Sequence, residues 1–358
     1  MSHILKSVPR YVLCLCFIMF AAPPESYAAD DATEAEEEEK TFDTFTLYWE
    51  NDGFAGTDRD YSNGIKLTWS TPYDITNTGK DHLPDWSHPL INNLPFVNDP
   101  SSHRAVSVSL GQMLFTPADT DRTDLVIDDR PYAGFLYLAS GFHNQIGNRK
   151  TSWELQLGLV GPLALGKETQ DVVHGLLGAN KAAGWDHQLK NEIGLEIICE
   201  SKWRLYPPGS RGGLNYDLIP HMGFRIGNIQ AYVNAGAEIR YGWNLPRDFG
   251  SCPIRAGCSS NSAFNNTPAV VPGRILTGWN IFAAVDGRVV AHDIFLDGNT
   301  FRDSHSVDRE VLVGDLMAGL AMDFGSIRTT YSYVIRSKQF ETEDKNHIFG
   351  SLTVSWAY

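Results

Sequence analysis

A twelve-stranded antiparallel transmembrane β-barrel, an all-β fold, is predicted for this 358-residue chain from three observations. Apolar and polar residues alternate with period two along most of it, as strands with two unlike faces require. The alternating segments run near the 9–11 residues that a tilted strand needs to cross a bilayer. Aromatics gather at segment ends, at Trp49, Tyr61, Trp69, Trp153, Trp356 and Tyr358. A soluble sandwich also alternates, but its polar face looks at bulk water and its strands are usually short.

The first residues stand apart from the fold. Lys6 and Arg10 precede the apolar run "YVLCLCFIMFAA", and Ser26-Tyr27-Ala28 is a small-x-small cleavage site. Residues 1–28 therefore read as a secretory signal peptide. Residues 29–41, with "DDATEAEEEEK", read as an acidic disordered leader, and residues 42–358 as the barrel. The chain carries −14 overall, and removal of a segment with two basic residues and one acid leaves the remainder near −15. Such an acidic protein is not expected to bind nucleic acid.

Taken in order, strands are predicted near 43–50, 60–71, 104–115, 133–144, 150–160, 191–205, 214–227, 229–241, 277–291, 308–323, 326–338 and 346–357. In the second, Tyr61, Ile65, Leu67 and Trp69 oppose Ser62, Gly64, Lys66, Thr68 and Ser70. In the fifth, Trp153, Leu155, Leu157 and Leu159 oppose Ser152, Glu154, Gln156 and Gly158. The even count fits bacterial barrels. With both termini in the periplasm, residues 51–59, 116–132, 161–190 and 292–307 lie on the outer rim. The periplasmic side takes 72–103 and 242–276, where Cys252 and Cys258 flank a short Pro/Gly loop suited to a local disulfide. Cys199 is left as a buried or lipid-facing thiol.

Four groups on the outer rim carry candidate chemistry. The hairpin tip "ENDGFAGTDRD" offers Glu50, Asn51, Asp52, Asp58 and Asp60, with Ser62 just after. Hard cations such as Ca²⁺ take about six to eight oxygen ligands of these kinds. On this segment alone an Asx/Gly turn is the simpler reading. Residues 167–186 interrupt the strands with a helix-like pattern, Val172, Val173, Leu176 and Leu177, that holds His174, with Gln170 one turn before it as a substrate contact. His174 is either a satisfied, partly buried histidine or a general base. Arg122 and Arg130 suit a lipid phosphate, although Arg130 could instead pair with Asp128 or Asp129. The segment "HDIFLDGNTFRDSHSVD" could add ligands, but a self-bonded loop explains it equally well. No Gly-x-Ser-x-Gly elbow is present, so water activated by His174 needs fewer assumptions than a Ser62 nucleophile.

The blocks "TLYWENDGFAGTDRDYSNGIKLTWS", "SLGQMLFTPADT", "DDRPYAGFLYL", "GLVGPLALGKETQDVVHGLLGANKAAGWDHQLKNE" and "HDIFLDGNTFRDSHSVD" together resemble the outer-membrane lipid A deacylase family of LpxR type, in order from about Phe45 to the C-terminus. The resemblance implies a twelve-stranded barrel in the outer membrane of a Gram-negative bacterium, with its site between barrel wall and outer loops. It implies Ca²⁺-dependent hydrolysis of the 3′-linked acyloxyacyl ester of lipid A. By motif, Asn51, Asp52, Ser62 and His174 become site residues, with Asp52 and Ser62 near the metal, His174 the base and Arg122 a basic substrate contact. Two positions depart from the pattern: Ala182 stands where some members have Tyr, and Asn180 where some have Glu. Lipopolysaccharide and outer-membrane lipids are the expected partners, and a monomer the expected state. The alternatives are a Ca²⁺-dependent outer-membrane phospholipase with a Ser62 nucleophile, and a non-catalytic barrel or pore lined by Lys66, Glu154, Glu196, Glu238, Arg328 and Arg336.

Overall fold

The structure is a computed structural model that describes residues 42–55, 60–71, 83–99, 102–177, 181–205, 213–251 and 275–358. Twelve strands close into one antiparallel barrel, each paired with its sequence neighbours and the first with the last. They are β1 Thr44–Asn51, β2 Asp60–Ser70, β3 His103–Thr116, β4 Ala133–Ile146, β5 Arg149–Val160, β6 Glu192–Trp203, β7 Leu214–Gly227, β8 Gln230–Trp243, β9 Gly278–Asp293, β10 Leu312–Phe324, β11 Ile327–Arg336 and β12 His347–Ala357. Among the described residues three α-helices lie in the connections: α1 His88–Ile91, α2 Gly166–Leu177 and α3 Ile294–Asp297. Closure leaves no strand edge unpaired, which a lipid-exposed sheet requires.

The period-two pattern sorts the two faces. Leu138, Leu157, Ile193, Ile226 and Ile239 are exposed on the outer wall, while the residues just before them, Tyr137, Gln156, Glu192, Arg225 and Glu238, are buried. The buried set is polar to an extent no soluble core tolerates, and its charges are paired across the lumen. Lys66 meets Glu154 at 3.3 Å, Arg225 meets Glu196 at 3.5 Å, His221 meets Asp286 at 2.8 Å and Arg336 meets Asp315 at 2.8 Å. A charge withdrawn from water needs such a partner. Nearer the outer rim the filling becomes aromatic, with Phe115 stacked on Phe295 at 4.0 Å and Phe135 on Tyr137 at 5.1 Å. The six residues proposed to line a pore all lie among these buried groups or at their edge, so they fill the lumen instead of bordering a channel.

The connection after β8 folds back into the barrel mouth. Asp248 pairs with Arg240 and lies 2.8 Å from Arg328, and its carbonyl accepts from Arg204 at 3.0 Å. Ser251 N–H donates to Glu238 at 3.0 Å, and Phe249 lies under the Arg204 guanidinium at 5.2 Å. Left-handed backbone at Asn244 (φ 55°) and Gly250 (φ 89°) makes the reversal. Cys199 is free and buried, in register between Trp153 and Phe224, whose rings lie 5.7 Å apart. Cys252 and Cys258 lie outside the described residues, as do the leader and signal segments.

Candidate functional site

β1 and β2 carry the first group of candidate residues. Alternation sends Tyr48 and Glu50 inward, Glu50 toward Tyr137, and leaves Trp49 and Asn51 on the outer face. Glu50 was grouped with Asn51 and Asp52 in sequence, but it belongs to the lumen because successive strand residues face opposite ways. Asn51 pairs in register with Asn63, whose Oδ1 accepts from Asn51 Nδ2 at 3.4 Å and from the Trp49 indole at 2.9 Å. The chain then turns through Asp52–Ala55, one 3₁₀ turn. Gly53 N–H donates to Asn51 Oδ1 at 2.8 Å, and a Cβ at Gly53 would fall 2.6 Å from that oxygen. Phe54 folds the turn down on the outer wall. It meets Trp49 edge-on at 4.9 Å, covers Gly350 of β12, and its carbonyl accepts from Tyr331 Oη at 3.2 Å. Asn51 and Asp52 are thereby buried on an outward surface, at 6% and 2% exposure.

A bulge interrupts β2–β3 pairing between Tyr61 and Asn63, the local device by which a strand re-aims a side chain. Ser62 sits within it. Its side chain, with that of Asp60 and the whole of Asp58, lies outside the described residues.

The second group of candidate residues is on α2. Gly166, Gln170, Val173 and His174 are buried, a helical repeat of one face, while Lys167, Glu168 and Val172 are exposed. Val172, read as part of the apolar stripe, therefore lies on the solvent face. The helix seats on the wall through two glycines: a Cβ at Gly134 of β4 would lie 3.2 Å from Gly166 Cα, and one at Gly166 2.7 Å from the Trp185 ring. Gln112 of β3 donates to the Ala164 carbonyl at 2.6 Å. Trp185 is the largest fully buried side chain, packed with Leu114, Tyr132 and Ala182. Its indole donates to Gln170 Oε1 at 2.6 Å, and its ring meets Tyr132 at 5.1 Å. Ala182 lines this cluster; Asn180 lies outside the described residues. Burial pushes the Tyr132 hydroxyl up to about 12, so it stays protonated.

The two arginines part company. Arg122 is on the surface, paired with Asp124, whose carboxylate raises it while Arg122 holds Asp124 below the usual carboxylate range. Arg130 is 1% exposed, between the rings of Phe115 (5.7 Å) and Phe340 (5.5 Å), and donates to Gln339 at 2.9 Å. That is the lumen side of the wall, away from the lipid-facing surface, which corrects the expectation of a substrate contact. The cause is the loop ending at Arg130, which doubles back over the barrel mouth. The fourth group is structural. Asp297 is bound by His292 at 2.9 Å and Arg309 at 2.6 Å, Asn299 accepts from Lys190 N–H at 2.8 Å, and His305 donates to the Asp129 carbonyl at 2.8 Å. Burial works to raise the Asp297 carboxyl, but these hydrogen bonds outweigh it and keep it low.

As a cation site, the tip presents hard oxygen donors of the type Ca²⁺ takes, a buried carboxylate and an amide beside a tight turn. Among the described residues no group of three His, Cys, Asp or Glu forms a metal cluster; the remaining oxygens of the motif are those of Asp58, Asp60 and Ser62. Asn63, Phe54 and Trp185 were not singled out in sequence. Asn63 was readable as the cross-strand partner of Asn51, whereas Trp185 looks like any core aromatic.

A family model described as outer membrane protein LpxR matches residues 12–358. Among solved structures, LpxR from Salmonella typhimurium superposes with a TM-score of 0.65 at 19% identity, covering 88% of this chain and 100% of that one. The β domain of the Bordetella autotransporter Brka gives 0.42 at 9% identity, covering 88% and 99%. No curated protein matches the chain in sequence.

Proposed function

Since the chain belongs to the LpxR family of outer membrane proteins, we propose that it is a Ca²⁺-dependent lipid A 3′-O-deacylase, a carboxylic ester hydrolase working at the outer leaflet. The observation that carries this reading is the placement of polar groups on the wrong side of the wall. Asn51, Asp52, Gln170 and His174 are buried against the outer surface of a membrane barrel, under a helix and a turn. Acyl chains lie along that surface already, so the ester meets the site without a lumen or a deep pocket.

His174 takes a proton from the attacking water and returns it to the sugar oxygen as the ester bond breaks. Asp52, with Ser62 and turn carbonyls, would hold the cation, and Asn51 fixes the turn through Gly53. Ca²⁺ there would supply positive charge for the ester carbonyl and the developing oxyanion. Arg122 opens from Asp124 toward a lipid A phosphate.

The test is mass spectrometry of lipid A incubated with the purified protein plus Ca²⁺, with EGTA, and with His174→Ala. Loss of one acyloxyacyl unit in the first mixture alone is expected. Unchanged lipid A in all three refutes the activity. Cleavage of phospholipids with an acyl group trapped on Ser62 replaces it with the serine mechanism.

A further inference from the structure

We infer that Trp185 is a positioning residue that fixes which end of the Gln170 amide faces the reacting ester; this rests on the deacylase reading above. The indole nitrogen is a donor only, with no acceptor capacity. At 2.6 Å from Gln170 it must therefore meet the amide oxygen, which settles an orientation that side-chain amides otherwise leave open. The opposite end of the amide, Nε2, is buried and has no hydrogen-bond partner among the described residues. A buried N–H pair left without an acceptor is costly, and natural structures rarely keep one without a use. Gln170 stands one turn before His174 on the same buried helix face. The N–H pair is thus held ready for an oxygen that arrives with the substrate, the ester carbonyl or the attacking water. A flipped amide would turn its own carbonyl oxygen on that atom and repel it.

Trp185 is built to be immovable. It is 1% exposed and packed against Tyr132, Leu114 and Ala182, and Gly166 leaves room for its ring where any Cβ would lie 2.7 Å away. The contact also ties the segment after α2 to the helix, so the same bond sets the amide and the seat of His174's helix.

A double-mutant cycle separates this role from packing. Trp185→Phe keeps a buried ring but loses the indole donor together with the volume of the second ring, and the cycle removes that packing part. Its kcat on lipid A should fall about ten-fold, the effect of one positioned hydrogen bond, with KM within about two-fold and heat-modifiable gel mobility unchanged. In a Gln170→Ala background the same substitution should lower kcat no further, because its effect passes through the amide. Unchanged kcat in Trp185→Phe, or an equal fall in both backgrounds, overturns the inference and leaves the deacylase reading standing. A wild-type protein that leaves lipid A intact with Ca²⁺ overturns both.

Discussion

At the scale of single residues, His174 and Asp52 are expected to fail differently. His174→Gln should lower kcat by about 10²–10⁴-fold, the range for a lost general base, at any Ca²⁺ concentration. Asp52→Asn should raise the Ca²⁺ needed for half-maximal rate, and excess Ca²⁺ should restore part of the activity. The arginines give a second contrast. Arg122→Ala should raise KM for lipid A and leave heat-modifiable mobility unchanged, because its side chain is on the surface and its ion pair is with the exposed Asp124. Arg130→Ala should instead weaken the barrel mouth, since it removes a guanidinium wedged between two rings. Asn51, Asp52 and His174 stood out in sequence as polar groups at the tip of an apolar hairpin and in a helix between strands, and the structure gives Asn51 a folding role as well, since its amide holds Gly53 and Asn63. Arg130 was not legible, since nothing in "DDRPYAG" says whether a loop turns outward or back over the lumen.

At the scale of elements, the candidate residues lie on two short pieces laid on a rigid wall. The turn Asp52–Ala55 is held by the bare backbone of Gly350, where a Cβ would come within 2.6 Å of Phe54 Cβ. Gly350→Val should lever the turn away. A displacement near 1 Å costs about 10²-fold in turnover, and the variant should still run as a folded, heat-modifiable barrel. The strands themselves were legible to within a few residues, because one face meets lipid and the other a packed interior along their whole length. The largest discrepancy is at β10, expected from 308 and found from Leu312. Arg309 there makes only an isolated bridge to Phe340, so the alternation continues past the end of the ladder. The start of α2 at Gly166 lay earlier than the pattern showed, since glycine carries no periodic signal.

At the scale of the whole molecule, the charged lumen is a solid filling, and steady ion conductance in planar bilayers is not expected. Lys66→Met should cost about 3–5 kcal/mol by leaving Glu154 without its cation, and adding Glu154→Leu should recover much of that in urea unfolding into lipid vesicles. The folded-back segment after β8 adds an acid limit. Burial alone would raise the Asp248 carboxyl, but Arg240 and Arg328 bring it down to about 2 from an ordinary 3.8. Its contribution is therefore complete above pH 3.8 and disappears as pH falls through about 2. Pepsin cleavage beside the buried Phe249, measured at each acid pH by mass spectrometry, should increase only near that lower limit.

The helix and turn that bury Asn51, Asp52 and His174 do so on the face turned to the bilayer, and a deacylase working there has a two-dimensional world. Its substrate concentration is a mole fraction within the leaflet, reached by lateral diffusion, and bulk lipid concentration has little meaning for it. Diluting lipid A with inert phospholipid or detergent at constant bulk concentration should therefore slow the reaction in proportion. A leaflet crowded by cation-bridged lipopolysaccharide should hold the same enzyme idle until its neighbours loosen.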